Sequence, residues 1–178
     1  MRIIAGSLGG RLFESPHGHR THPMSEKIRG AIFNALGDIE GLTVLDPFSG
    51  SGALCFEAIS RGAKSAVALD ADKKACAIIQ KNIESLALED KVAVTRIYAD
   101  SWRKRHQNDQ FDLVLLDPPY NDLEPETAEK LALLTKPGGV AVFSLPPNAR
   151  IVLSEKQFSL ISSKQYGDAT LAFYRRTD

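Results

Sequence analysis

Cysteine is nearly absent from this 178-residue chain, with Cys55 and Cys76 alone, and tryptophan occurs once. Two cysteines in predicted helices, without metal-ligand spacing, exclude a disulfide scaffold and a thiolate metal site, and read as reduced, half-buried packing residues. No run of about 18 apolar residues occurs, so no membrane span is expected. The opening Met1-Arg2-Ile3-Ile4-Ala5-Gly6 has no apolar h-region, and a cytoplasmic protein is expected. Net charge is also missing, since 22 basic residues balance 22 acidic ones. That balance conceals an asymmetry. Residues 1–30 carry five Arg/Lys against two Glu, whereas residues 31–149 carry twelve basic against seventeen acidic. A basic leading segment on an acidic middle suggests a polyanion-binding arm on a catalytic domain, although an ordinary solvated face gives the same count. Arg2, Arg11, Arg20, His22, Lys27 and Arg29 are the candidate phosphate contacts. Three histidines between 17 and 22 share no spacing with a carboxylate or cysteine, and no metal is expected there.

The remaining composition, 43% hydrophobic and 25% charged, is that of a globular protein with a core of its own. A single domain over 1–178 is expected, with a hairpin and basic extension over 1–24 and a catalytic core over 25–178. The opening predicts two short strands, Arg2–Ala5 and Arg11–Glu14, around the glycine-rich turn Gly6–Gly10. Ser25 is a good N-cap, the stripe Ile28, Ala31, Ile32, Ala35, Leu36 makes an amphipathic helix, and Gly37 ends it. Lys27 and Arg29 lie off that stripe and are expected to face solvent or phosphate. Strands are then expected at Leu42–Leu45, Ser65–Leu69, Val92–Ile97, Phe111–Leu116 and Val140–Leu145. Helices are expected from Ala53, over about Asp72–Leu86, and near Pro125–Leu134. Lys136-Pro137-Gly138-Gly139 reads as a turn, and Trp102–Gln110 as a polar, basic segment, solvated or touching RNA. The tail reads as two strands, about Lys156–Lys164 and Ala169–Arg175, around Gly167-Asp168. Alternating β and α patterns before a closing hairpin give an α/β fold with a mostly parallel sheet and an antiparallel strand near the C-terminus.

Two stretches carry chemistry. In the first, the strand into Asp46-Pro47-Phe48-Ser49-Gly50-Ser51-Gly52 and the following helix form the first βα turn of a nucleotide-binding sheet. Glycines there admit close backbone approach, and the helix start offers amide hydrogens. The third glycine of a dinucleotide fingerprint is replaced by Cys55, and Asp46 would repel a pyrophosphate. Both features disfavour a nicotinamide oxidoreductase and suit a cationic ligand. Asp46, Phe48, Ser49, Gly50 and Gly52 are therefore candidate cofactor residues. Asp70, ending the next strand, is placed for ribose hydroxyls, and Asp100 either reaches an adenine amino group or caps a helix. The second stretch is Asp117-Pro118-Pro119-Tyr120. Prolines cannot extend the ladder, so the strand stops at the sheet's carboxyl edge. There a carboxylate and the Pro118 carbonyl can accept both hydrogens of one planar amino group while Tyr120 stacks on its ring. Asp117, Pro118, Pro119 and Tyr120 are the candidate catalytic residues.

Together the two loops resemble a class I S-adenosylmethionine-dependent methyltransferase acting on an exocyclic base nitrogen. Within that group the chain is similar from end to end to the RsmD family of 16S rRNA guanine-N2 methyltransferases. The stretches that carry the likeness are Arg2–Gly6, Gly10-Arg11, Arg29 with Phe33–Leu36, Asp46–Gly52, Glu57–Ala63, Asp117–Tyr120 and Tyr166–Asp168. Glu57-Ala58-Ile59-Ser60-Arg61-Gly62-Ala63 is the most family-specific of these, whereas Asp-Pro-Pro-Tyr is shared with adenine-N6 and cytosine-N4 DNA methyltransferases. The resemblance implies a Rossmann-like, seven-stranded sheet with an N-terminal hairpin-and-helix extension. It also implies S-adenosylmethionine as cofactor, 16S rRNA in an assembling small ribosomal subunit as partner, no membrane, and a monomer. His22-Pro23-Met24 stands where the family has Arg-Pro-Thr, and Pro47 and Ser49 replace its usual leucine and alanine, as in DNA and tRNA amino-methylating enzymes. A DNA or tRNA amino-methyltransferase is thus the alternative enzyme, and a silent RNA-binding assembly factor the alternative without catalysis.

Overall fold

The computed structural model describes residues 1–16, 24–119 and 125–178. Among the described residues five helices alternate with five strands and two further strands follow: α1 Glu26–Leu36, β1 Thr43–Asp46, α2 Ala53–Ser60, β2 Ser65–Asp70, α3 Lys73–Leu86, β3 Val92–Arg96, α4 Ala99–Arg105, β4 Phe111–Leu116, α5 Pro125–Ala132, β5 Thr135–Leu145, β6 Phe158–Tyr166 and β7 Ala169–Arg176. The strands form one sheet in the order β3-β2-β1-β4-β5-β7-β6. β1 to β5 run parallel, and β7 is antiparallel to both of its neighbours.

β4 shows why the central strands read as unbroken apolar runs. Leu113 and Leu115 pack on the face shared with α2, α3 and the leading segment. Val114 and Leu116 pack on the opposite face with α4 and α5. A strand covered on both sides has no solvent face on which to place polar residues. Helix starts follow local chemistry: the Ser25 hydroxyl accepts from the Ile28 amide, and the Asp72 carboxylate from Lys74 and Ala75.

Four expectations are corrected. The leading hairpin is shorter than expected: the bridge Arg2–Leu12 is flanked by backbone bonds between Met1 and Phe13 and from Ile3 to Arg11, and beyond it the amides of the first arm turn elsewhere. Ile4 and Ala5 donate to the two oxygens of Glu57 at 2.8 and 3.2 Å. Lys136–Gly139 is not a turn between elements but part of β5, where a register shift opposite Phe111–Leu113 accommodates the extra length. Gly139 is needed there, since a Cβ would lie 2.6 Å from the Asp112 carbonyl oxygen. The segment after Asp100 is the helix α4, anchored by buried Trp102, whose ring stacks on His106 at 4.3 Å. Finally, Arg29 does not face solvent or phosphate. It is fully buried, donates to the Arg2 carbonyl, and lies 3.5 Å from Glu57.

The family-specific run in α2 thereby acquires a physical role. Fully buried Glu57 also accepts from Arg61 at 2.8 Å. Ser60 accepts from the Leu8 amide through its hydroxyl and from the Ser7 amide through its carbonyl. A Cβ on Gly6 would sit 1.8 Å from the Ser60 carbonyl oxygen, so glycine is required for this close approach. Glu57→Ala should leave Arg29 as an uncompensated buried charge and lower stability by about 3–5 kcal/mol. Urea denaturation checks this; a loss under about 1 kcal/mol would contradict the role assigned to Glu57.

Candidate active site

Parallel strands bring their carboxyl ends to one edge, and the chain reverses its direction of travel across the sheet between β1 and β4. Crevices at such a switch point hold ligands in open α/β folds. β1 delivers Asp46 to that point, β4 delivers Asp117, and β2 delivers Asp70 one strand away.

The loop after β1 is wound by its own polar groups. Ser49 donates its hydroxyl to the Asp46 carbonyl at 2.8 Å and its amide to Leu69 at 2.9 Å. The Gly50 amide donates to Asp70 at 2.8 Å, and the other Asp70 oxygen accepts from Asp72 at 2.7 Å. Asp70 therefore ties the two loops together, and each of its oxygens retains acceptor capacity. Gly52 is held at φ +79, and a Cβ there would meet the Phe56 ring at 2.8 Å. Phe48 packs partly buried against the α4–α5 core.

Asp46 is 1% exposed and accepts from the Phe48 amide at 3.2 Å. Burial, with the nearby charges of Asp117 and Asp70 adding to it, pushes its carboxyl up to about 8 against the pull of the Phe48 amide. Cys55 Sγ lies 4.0 Å from the same carboxylate, and burial raises its thiol as well. Asp117 keeps part of its surface open, but its carboxyl sits among Met24, Ile32, Leu54 and Val142. That burial raises it to about 6, against a hydrogen bond from Ser144. A buried carboxylate with two like charges nearby is complementary to a cation, and Asp46 fits a ligand that carries an ammonium or sulfonium group. Among the described residues no group of His, Cys, Asp and Glu could hold a metal ion, and no helix is long and apolar enough to cross a membrane.

Asp46, Phe48, Ser49, Gly50, Gly52, Asp70, Asp117 and Pro118 thus gather along one edge of the sheet, with Pro119 exposed at its rim. Asp100 belongs to the first turn of α4, where its carboxylate is held by Arg103 at 3.0 Å and Lys104 at 2.6 Å. Beside it opens a cleft of about 360 Å³ lined by Ala71, Arg96, Ile97, Tyr98, Ser101 and Arg105. Tyr120, Arg20 and His22 lie outside the described residues. Lys27 is exposed, Arg2 is paired with Glu26 at 2.8 Å, and Arg11 donates to the Ser85 carbonyl. Sequence reasoning missed Ser144; the signal was a hydroxyl near the end of the apolar run Val140–Leu145, on the strand next to Asp117.

This strand order, with carboxylates at the switch point, defines a class I methyltransferase fold. The chain belongs to the family described as conserved hypothetical protein 95, the RsmD family, whose model matches residues 1–175. It is 32% identical over 170 residues to the ribosomal RNA small subunit methyltransferase D of Haemophilus influenzae, spanning 93% of this chain and 84% of that one. It is 36% identical over 127 residues to YlbH of Bacillus subtilis, a candidate rRNA methyltransferase, spanning 68% of each. Among solved structures, the candidate methyltransferase yhhF of Escherichia coli superimposes with a TM-score of 0.87 at 27% identity, covering 99% of this chain and 98% of that one.

The raised carboxyl of Asp46 makes a stability prediction. The unfolded chain ionises it near pH 4, whereas the folded protein holds the proton to about pH 8. The folded state binds the extra proton across that window, so stability falls as pH rises from about 4 to 8 and then levels off. Asp46→Asn removes this contribution. Its stability relative to wild type should grow by up to about 1.4 kcal/mol per pH unit across the window. Urea melts at pH 5 and 8 that show a constant difference would refute the buried, protonated carboxyl.

Proposed function

We propose that the protein transfers a methyl group from S-adenosylmethionine to the exocyclic N2 of a guanine in 16S rRNA of the small ribosomal subunit. The observation that carries the reading is the pairing, across the switch point, of buried Asp46 with Asp117 and its rigid Pro118-Pro119 end. One carboxylate suits a cation and the other an amine. In this reading Asp46 holds the cationic methionine end of the donor, Gly50 and Gly52 allow the backbone to approach it, and Asp70 accepts from the ribose hydroxyls. The cleft beside α4 gives the adenine room, with Asp100 at its border. S-adenosylmethionine supplies a sulfonium methyl when bound.

The acceptor is a poor nucleophile, because its lone pair is conjugated with the purine ring. Asp117 and the Pro118 carbonyl each accept one N–H, which localises that lone pair and aims it for in-line displacement, chiefly a positioning effect. The N–CH3 bond forms as the S–CH3 bond breaks, leaving S-adenosylhomocysteine as the neutral thioether, and one N–H proton then passes to Asp117 and on to solvent. The base must swing out of its stack to arrive, and Tyr120 replaces the stacking lost. Guanine is favoured over adenine and cytosine by its N1–H donor beside N2. An edge position mispaired in a buried pocket costs about 1–3 kcal/mol. The names of the RsmD relatives support RNA as the substrate; exposed Lys27 is available to phosphates, and Arg2 and Arg11 reach them by giving up Glu26 and the Ser85 carbonyl.

Nucleoside mass spectrometry of 16S rRNA, with and without the protein, should give N2-methylguanine. N6-methyladenine would leave an amino-methyltransferase of different base choice. Asp117→Ala should abolish transfer while changing cofactor affinity no more than a few-fold; retained activity would remove Asp117 from the acceptor role. Binding of S-adenosylmethionine at pH 7 should release up to one proton, as Asp46 ionises against the ammonium. Calorimetry in buffers of different ionisation enthalpy reads that proton, and its absence would remove Asp46 from contact with the cation.

A further inference from the structure

Ser144 comes near the end of β5, on the strand next to the one that delivers Asp117. In the parallel ladder Leu116 faces Phe143, so one further step brings Asp117 beside Ser144. Ser144 is 3% exposed and lines the same crevice as Asp117, and its hydroxyl pulls the Asp117 carboxyl down. The other described residues lining this crevice, Met24, Ile32, Leu54, Leu115, Leu116 and Val142, are all apolar. A hydroxyl buried among them would be costly without a polar partner. Among the described residues the titratable group near Asp117 is Asp46 at the end of β1, which holds its proton to about pH 8; the crevice residues from α1, α2 and β5 include none.

We propose that Ser144 is a positioning residue for the acceptor carboxylate: its hydroxyl engages one oxygen of Asp117 and leaves the other turned toward the incoming amine. The inference rests on the acceptor role given to Asp117 above. A carboxylate in an apolar crevice can rotate or take up a proton, and either change removes the acceptor that the amine needs. The Ser144 hydroxyl opposes both, because it fixes the rotamer and favours the ionised form that burial disfavours.

The test reads Asp117 directly. In the full chain labelled at the aspartate carboxyl carbon and assigned with Asp117→Asn, the carboxyl should titrate near pH 6. In Ser144→Ala the midpoint should move up by about one pH unit, the size of a lost hydrogen bond to a charged group; in Ser144→Thr it should return. With 16S rRNA, naked or assembled into small subunits, Ser144→Ala should lose about tenfold in kcat/KM at pH 6 and no more than about twofold at pH 9, with cofactor affinity unchanged. An unmoved midpoint, or an equal loss at every pH, overturns the proposal. Should Ser144→Ala fail to fold, Ser144→Cys, of similar size and weaker as a donor, takes its place in the same titration. Activity surviving in Asp117→Ala would defeat the acceptor reading instead, and the titration would still report whether Ser144 governs Asp117.

Discussion

Glu57 is buried in the middle of α2 without contact with water, and the way its charge is satisfied organises half of the molecule. Its two oxygens take the amides of Ile4 and Ala5, the guanidinium of Arg61 and the charge of Arg29. Arg29 in turn holds the Arg2 carbonyl. One carboxylate thereby joins the leading segment, α1 and α2, three pieces distant in sequence. A buried charge that lost any of these partners would be strongly unfavourable, so the arrangement is all-or-none.

The candidate site obeys the opposite logic. Glu57 is surrounded by donors and cations, whereas Asp46 is buried with uncharged donors alone, the Phe48 amide, the Ser49 hydroxyl and the Cys55 thiol, and with two carboxyl groups nearby. A fold could avoid that strain with an asparagine. That it carries an acid here, at the reversal of strand order, argues for a cationic ligand that completes the charge balance on binding. Asp117 stands differently, because its neighbours are apolar and a serine hydroxyl is its local donor. Two carboxylates on adjacent strands thus stand in different surroundings, one buried beside other acids and one in an apolar crevice with a serine.

The chain spelled out its alternation of strands and helices, since a parallel sheet covered on both faces demands apolar runs such as Phe111–Leu116, and helix starts such as Ser25 and Asp72 are written in local hydrogen-bonding chemistry. Acids at strand ends were legible for the same reason: Asp46, Asp70 and Asp117 each close an apolar run, and parallel strands must end together at one edge. Arg29 was misread because helical periodicity gives the direction of a side chain but not what the leading segment lays over it. The hairpin stopped short at Ile3 because the next amides, of Ile4 and Ala5, found Glu57, a partner some fifty residues away that pairing rules for adjacent strands cannot foresee. Likewise the glycines of Lys136–Gly139 announced a turn, and only the neighbouring β4 turned that turn into a bulge. By itself, then, the sequence determined which residues form elements and which acids reach the sheet edge, because both depend on contacts within a few residues. Tertiary structure alone decided which charges are buried, which are paired, and which hydroxyl stands beside Asp117, because those depend on side chains that meet only once the sheet has closed.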